Sequence, residues 1–342
     1  MLPASRTPDG TAAGALRFCG GRFSITRGVD LIFGYFCKRI LLIIPSVMVV
    51  ILLIFLLMST LAGTDTARMI RYADDPKGPP PQLSFLEQYG KYCYRVFIRQ
   101  DFGATGYGAP IWEELSTRIA VTLRVTGISA LATYLLGVPL GVFAACRRGR
   151  WQDSLITSLT TLLSSIPAFC LSLALMLLFA KRLRWINVVP QTFAEMLVPY
   201  SILAVIGAAN VAKVTRAGMA EVLDKPFVLT LTSLGLSRRS VILRHALKNA
   251  LVPAVSVFGT VCAQLLCGSI VVERFYSIKG LGFAMIEAVA ERATTSLLGC
   301  ATAVALIMSV CGVITDLLFV LVNPSLRKTL HFGSTLRRRG GR

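Results

Sequence analysis

Apolar residues along this chain collect into six long runs, and the charges sit between them. The runs span residues 40–62, 122–146, 154–180, 197–211, 251–272 and 297–322. The first holds 23 residues without a charge, more than the roughly 20 needed to cross a hydrocarbon core as a helix. It exceeds the apolar core of a secretory signal peptide, about 7–15 residues, and it follows a basic, glycine-rich stretch, so it reads as an uncleaved span. Breakers interrupt several runs: Pro139 lies between Gly137 and Gly141, Pro167 sits inside the third run, and Pro199 interrupts the fourth, which is the weakest. Such residues are tolerated in spans where neighbouring helices or water satisfy the freed backbone groups. The pattern predicts an all-α polytopic membrane protein with six transmembrane helices.

The segments between the runs divide the chain further. Residues 1–37 are basic and lack a clear period, and are expected to be a disordered cytoplasmic arm. Residues 38–62 carry helix 1. Residues 63–117, with the breaker GPPPQ at 78–82, are too long for a turn and predict a small exterior subdomain. Residues 118–328 hold a five-helix core containing a loop at 212–250, and residues 329–342 form a basic tail.

Composition agrees with a membrane: 54% of residues are hydrophobic and 15% charged, against about 25% charged in average soluble domains. The net charge of +19 comes without any nucleic-acid-binding motif, so nucleic acid is not an expected partner. Charge instead sets orientation. With both termini and the loops 147–153 and 213–248 on one side, that side carries 22 Lys and Arg and 5 acids; segments 63–118, 181–195 and 273–296 carry 13 and 11. The positive-inside bias therefore places both the N- and C-termini in the cytoplasm. Nine Cys and two His, without a CxxC or a Cys/His ligand set, argue against a disulfide framework or a zinc site.

The loop between spans four and five is the most informative segment. Asp224 is a candidate cap for a helix whose first turn holds Pro226. Phe227, Leu231 and Leu234 follow at i, i+4 and i+7, one apolar stripe. Gly235 is placed as the left-handed residue that ends the helix. Ser237 can cap the next helix, which carries Arg238, Arg239, Arg244, His245 and Lys248. A short amphipathic helix followed by a basic one can dock into a groove on a soluble partner. Periodicity alone leaves open a helix resting on lipid headgroups or on the protein's own bundle.

At this loop the sequence resembles a known family. GLSRRSVILRHALKNALVP (235–253) is similar to the coupling loop of binding-protein-dependent ABC permeases, and looks closest to the oligopeptide/dipeptide type. Further segments match in family order: FCKRILLIIPSVMVVILLIFLL (36–57), QDFGATGYGAPIWEELSTRIAVTLRV (100–125), SSIPAF (164–169), AEVLDKPFVLTLTSLGLS (220–237), GSIVVERFYSIKGLGFAMIEAV (268–289) and the terminal stretch from Asp316 to NPSLR. Together they cover roughly residues 36–328.

The resemblance implies a non-catalytic permease subunit of the bacterial inner membrane, paired with a second homologous permease. Two cytoplasmic ATPase subunits, holding ATP and Mg, would power it, and an extracytoplasmic binding protein would deliver the solute; no cofactor is implied in this chain. By position, Asp224, Phe227, Thr230, Leu231, Leu234, Gly235, Leu236, Ser237, Arg244 and His245 would form the ATPase-coupling element. Pro167, Gly268 and Asp316 are candidates for the solute pathway; Asp316 stands out as an acid in an apolar run. Two departures matter. The family's basic, small-residue stretch before the loop glycine is here Thr230–Leu231–Thr232–Ser233–Leu234, so charge is replaced by apolarity. Its usual proline before Gly-Leu-Gly is here Lys279. Peptides are the expected solute, with nickel or another small solute as the alternative within the family. An ion-coupled secondary transporter is less consistent, because Arg124 and Asp316 are the only charges in the predicted spans. The chain lacks a phosphate-binding G-x-x-x-x-G-K-[ST] loop, so hydrolysis would belong to partners.

Overall fold

The computed structural model describes residues 41–57, 84–102, 111–291 and 293–322. The arm 1–37, the tail 329–342 and much of 63–117 lie outside the described residues. Those described are helical or in short turns, with no strand among them.

Eleven helical stretches can be followed. Helix α1 is Leu41–Leu57. Helix α2, Phe85–Tyr94, runs on as a wider turn over Arg95–Arg99. Then come α3 (Ile111–Cys146), α4 (Trp151–Ser165), α5 (Ala168–Met176, continued over Leu177–Arg182) and α6 (Phe193–Leu223). Helix α7 is Pro226–Ser233, and α8 is a rod joining Arg238–Ser240, Val241–Ala246 and Leu247–Ser256. Helices α9 (Phe258–Phe275), α10 (Leu281–Ala290) and α11 (Thr294–Val322) complete the order.

Four of these, α3, α6, α9 and α11, are long and apolar enough to cross a membrane. Helices α4 and α5 make a fifth span if taken together, bent by 94° at their junction. The predicted third span is thus divided between two helices at a sharp bend. Pro167 is the cause: it disfavours helical backbone at the preceding residue, and Ile166 is extended at φ −81°, ψ 121°. The described part of the first predicted span, α1, is a shorter apolar helix, and the rest of 40–62 lies outside the described residues.

Other boundaries shift as well. Helix α3 starts eleven residues before the predicted second span, with Glu113 and Glu114 in its first turn, where negative charge suits the helix dipole. Helix α6 is capped by a reciprocal Thr192–Glu195 box and runs to Leu223, so the first third of the 212–250 loop is helix. Pro253 lies just before a break at Val257, which divides the fifth run between α8 and α9.

The bundle closes around α3 and α6. Their approach is set by small residues: a Cβ on Gly137 would lie 2.8 Å from Val211 Cβ, and one on Gly141 2.5 Å from the Ala212 carbonyl oxygen. Two glycines one turn apart let helix backbones pack closely where no water drives association. Leu131 and Leu135, on the opposite face of α3, are each 65% exposed and suit lipid.

Helix α2 shares a core with α1 and α11. Phe55 meets Phe85 at 5.4 Å between ring centroids, the Tyr89 hydroxyl donates to the Met48 carbonyl at 2.8 Å, and Tyr92 pairs with Thr302 at 3.1 Å. Burial pushes the Tyr92 phenol well above the ordinary tyrosine range. Asp101 and Phe102 close the following turn. The Arg95 guanidinium donates to Asp101 at 2.6 Å, and Phe102 stacks on Trp112 at 5.5 Å.

Candidate functional site

At one end of the bundle, the α6–α7–α8 loop turns on three sequence features. Lys225, held extended before Pro226, is the N-cap of α7 and makes no side-chain cap bond; Pro226 occupies the first turn. Asp224 is therefore not the cap the sequence suggested. It ends α6 and accepts from Arg148 at 2.7 Å, because α6 continues to Leu223 and the residue before proline is driven extended.

Helix α7 ends as the sequence predicts. Gly235 adopts φ +81°, Leu236 N–H donates to the Leu231 carbonyl and Gly235 N–H to Thr232. This pair of bonds is the Schellman ending that a glycine at this position allows. Ser237 then caps α8 by accepting from the Ser240 N–H at 3.4 Å.

The predicted apolar stripe divides between two faces. Phe227 packs against a small core of Ala145, Met219, Val222, Ala246 and Ala250, and Leu231 is half-buried. Leu234 is 73% exposed and Leu229, which the stripe omitted, 72% exposed. Thr230, Leu236, Arg244 and His245 are also exposed. The loop thus presents leucines beside arginines while Phe227 ties it to the bundle. Beneath it, Arg216 grips the buried Asp153 with two bonds of 2.5 and 2.8 Å, joining α6 to α4.

At the far end, a knot of side chains seats α10. Glu273, just past the end of the fifth apolar run, is fully buried. Its carboxylate accepts from the N–H groups of Gly282 at 2.8 Å and Phe283 at 3.2 Å, and from the Thr122 hydroxyl at 2.7 Å. Thr122 Oγ1 in turn accepts from the Leu281 N–H at 2.8 Å. Side chains of α3 and α9 thereby satisfy three donors that a helix start leaves unpaired, and the carboxylate faces the positive end of the helix dipole. The Gly-Leu-Gly run is explained by crowding. A Cβ on Gly280 would fall 2.5 Å from Glu273 and Thr122, and one on Gly282 2.3 Å from Ile270 Cα. Segment 273–296, taken from sequence as an exterior connection, contains this buried short helix.

Midway along the bundle, three polar side chains from three helices form a chain. Ser164 Oγ of α4 donates to Asn210 Oδ1 of α6 at 3.1 Å, and Asn210 Nδ2 donates to Gln264 Oε1 of α9 at 3.1 Å. No local pattern pairs them: Asn210 falls at the end of the fourth apolar run, 197–211, whereas α6 carries on to Leu223. Two of the sequence-selected pathway positions adjoin this chain: Pro167 starts α5 just after Ser164, and Gly268 lies one turn beyond Gln264, where a Cβ would be 3.0 Å from Leu203. Asp316 lies elsewhere, half-buried beside a cleft of about 500 Å³ between α1 and α11. Among the described residues no cluster of three or more His, Cys, Asp or Glu is placed to hold a metal.

Comparison with known proteins bears on all three regions. Residues 137–328 match the family described as binding-protein-dependent transport system inner membrane component. The chain is 30% identical over 306 residues to the glutathione transport system permease protein GsiC of Salmonella paratyphi A, covering 86% of this chain and 98% of the relative. The same protein of Salmonella typhimurium strain LT2 matches to the same extent. That of Escherichia coli strain K12 is 29% identical over 305 residues, again with 86% and 98% covered. With its apolar helices, this match makes the chain a member of the binding-protein-dependent ABC transporter permeases of the oligopeptide/dipeptide type, a multi-pass component of the inner membrane.

Proposed function

We propose that this chain forms one half of the solute path of a peptide importer and couples that path to ATP hydrolysis through α7. In this reading six spans cross the membrane with both termini in the cytoplasm, and residues 63–117 lie outside. A second homologous permease completes the path, two cytoplasmic ATPase subunits bind ATP and Mg, and an extracytoplasmic binding protein delivers the solute. The chain performs no chemistry itself. Peptides are the solute class because the relatives are named for transport of glutathione, a modified tripeptide.

The observation that carries the coupling role is the pairing of exposed Leu229 and Leu234 with anchored Phe227 on one eight-residue helix. Large apolar side chains held out on a loop, followed along the chain by exposed Arg238, Arg239 and Arg244, suit insertion into a groove of a soluble protein. Helix α7 is fixed to α6 and α8 by Phe227, so a rigid-body movement of the partner passes to the spans. Copurification tests this. The double substitution Leu229→Asp, Leu234→Asp should abolish recovery of the ATPase subunits with the detergent-solubilised chain, while the chain still inserts. Unchanged recovery, for this variant and for Gly235→Asp, would show that another surface binds the ATPases.

A further inference from the structure

The Ser164–Asn210–Gln264 chain links α4, α6 and α9. Asn210 lies well inside α6 and Gln264 well inside α9, so neither belongs to a helix end. The chain is also open at one side. Gln264 is exposed, and its amide nitrogen has no hydrogen-bond partner among the described residues. An amide donor pointing into hydrocarbon is strongly disfavoured, so this face requires water, solute or another polar chain against it.

A second observation concerns the helix that supplies Ser164. Helix α4 carries exposed Ser154, Ser158, Thr161 and Ser165 at i, i+4, i+7 and i+11, one continuous hydroxyl stripe by helical geometry. Exposed Leu155, Leu159 and Leu162 occupy the neighbouring face, as lipid contact demands. Ser164 adjoins the stripe and leads from it to Asn210.

We propose that Gln264, Asn210 and the α4 hydroxyls form the polar wall of the solute path and recognise the amide groups of a peptide main chain. The inference rests on the permease reading above and names the site within it. Side-chain amides and hydroxyls offer both donors and acceptors without charge. That set matches the alternating N–H and C=O groups of any peptide and reads no particular side chain. The chain-end nitrogen of Gln264 donates to a peptide carbonyl, while Asn210 and Ser164 hold the Gln264 amide in position. A lattice of hydroxyls leading to it provides weak, replaceable contacts, as passage requires.

The test uses the full complex in proteoliposomes, with a mixture of di- to pentapeptides quantified inside the vesicles by mass spectrometry. Gln264→Leu is expected to lower binding-protein-dependent uptake about tenfold, the upper end for one neutral hydrogen bond, in a complex that still assembles with all its subunits. Gln264→Asn should restore part of the loss. Native Cys267, exposed one turn along α9, supplies an independent readout. A charged thiol reagent should modify it in the unmutated complex, and saturating peptide with binding protein should slow the reaction at least threefold. Unchanged uptake in Gln264→Leu, a loss that tracks falling thermal stability, or a Cys267 indifferent to peptide would each overturn the proposal. If the unmutated complex assembles with no ATPase subunits and moves no peptide, the permease reading itself fails, and this site with it.

Discussion

Glu273 and Thr122 show what single residues contribute. Each bonds to the start of α10, so removing either strands backbone donors in a dry site. Thr122→Val should destabilise the protein by about 1–3 kcal/mol, the penalty for an unsatisfied buried polar group. Gly280→Ala should do so by a similar 1–3 kcal/mol through overpacking. Thermal unfolding of the purified chain in detergent checks both, and a Gly280→Ala protein as stable as the parent would contradict the tight seat. This knot was illegible in the sequence because Thr122 and Glu273 stand 151 residues apart, and no local pattern pairs them. Gly235 and Ser237 were legible because their roles are local: a left-handed residue after an apolar stripe, then a hydroxyl before a basic run. Asp224 misled for a related reason. It stands beside a proline and is a favoured cap residue, and only the continuation of α6 to Leu223 assigns the cap to Lys225 instead.

Among elements, α4 and α6 are tied by a part-buried ion pair. The Asp153–Arg216 bridge lies toward the loop end of α6, and Gly149 N–H also donates to Asp153 at 3.2 Å. Arg216→Leu leaves a buried carboxylate without its partner, and a loss of about 3 kcal/mol is expected, at the low end of the range because Arg216 keeps some contact with solvent. Adding Asp153→Asn should return part of that stability, since the two side chains act as one unit. A second change that deepens the loss would show that Asp153 has a separate role. The apolar runs foretold where spans occur, yet missed the 94° bend at Pro167 and the break at Val257. Hydropathy records composition over a window and is blind to direction. Nor could periodicity say which side of the Phe227–Leu231–Leu234 stripe faces the bundle. Packing decides that: α7 turns Phe227 onto alanines of α3 and α8, which leaves Leu229 and Leu234 outward.

At the scale of the molecule, the two ends of the bundle are built differently and are joined by α3, α6 and α9. One end holds a rigid leucine-bearing loop, the other a short helix sealed by Glu273, and an amide chain crosses between them. Gly137 and Gly141 bring α3 and α6 into close contact, and in the proposed coupling a displacement at the loop would be carried along this pair. The account therefore predicts that α7 controls whether ATP hydrolysis responds to solute. The most direct measurement is the ATPase rate of the reconstituted complex, with and without peptide-loaded binding protein, using the single substitution Leu234→Asp that spares Phe227 and the helix ending. Coupling through α7 requires that stimulation by loaded binding protein disappears. Stimulation equal to that of the unmutated complex would contradict it.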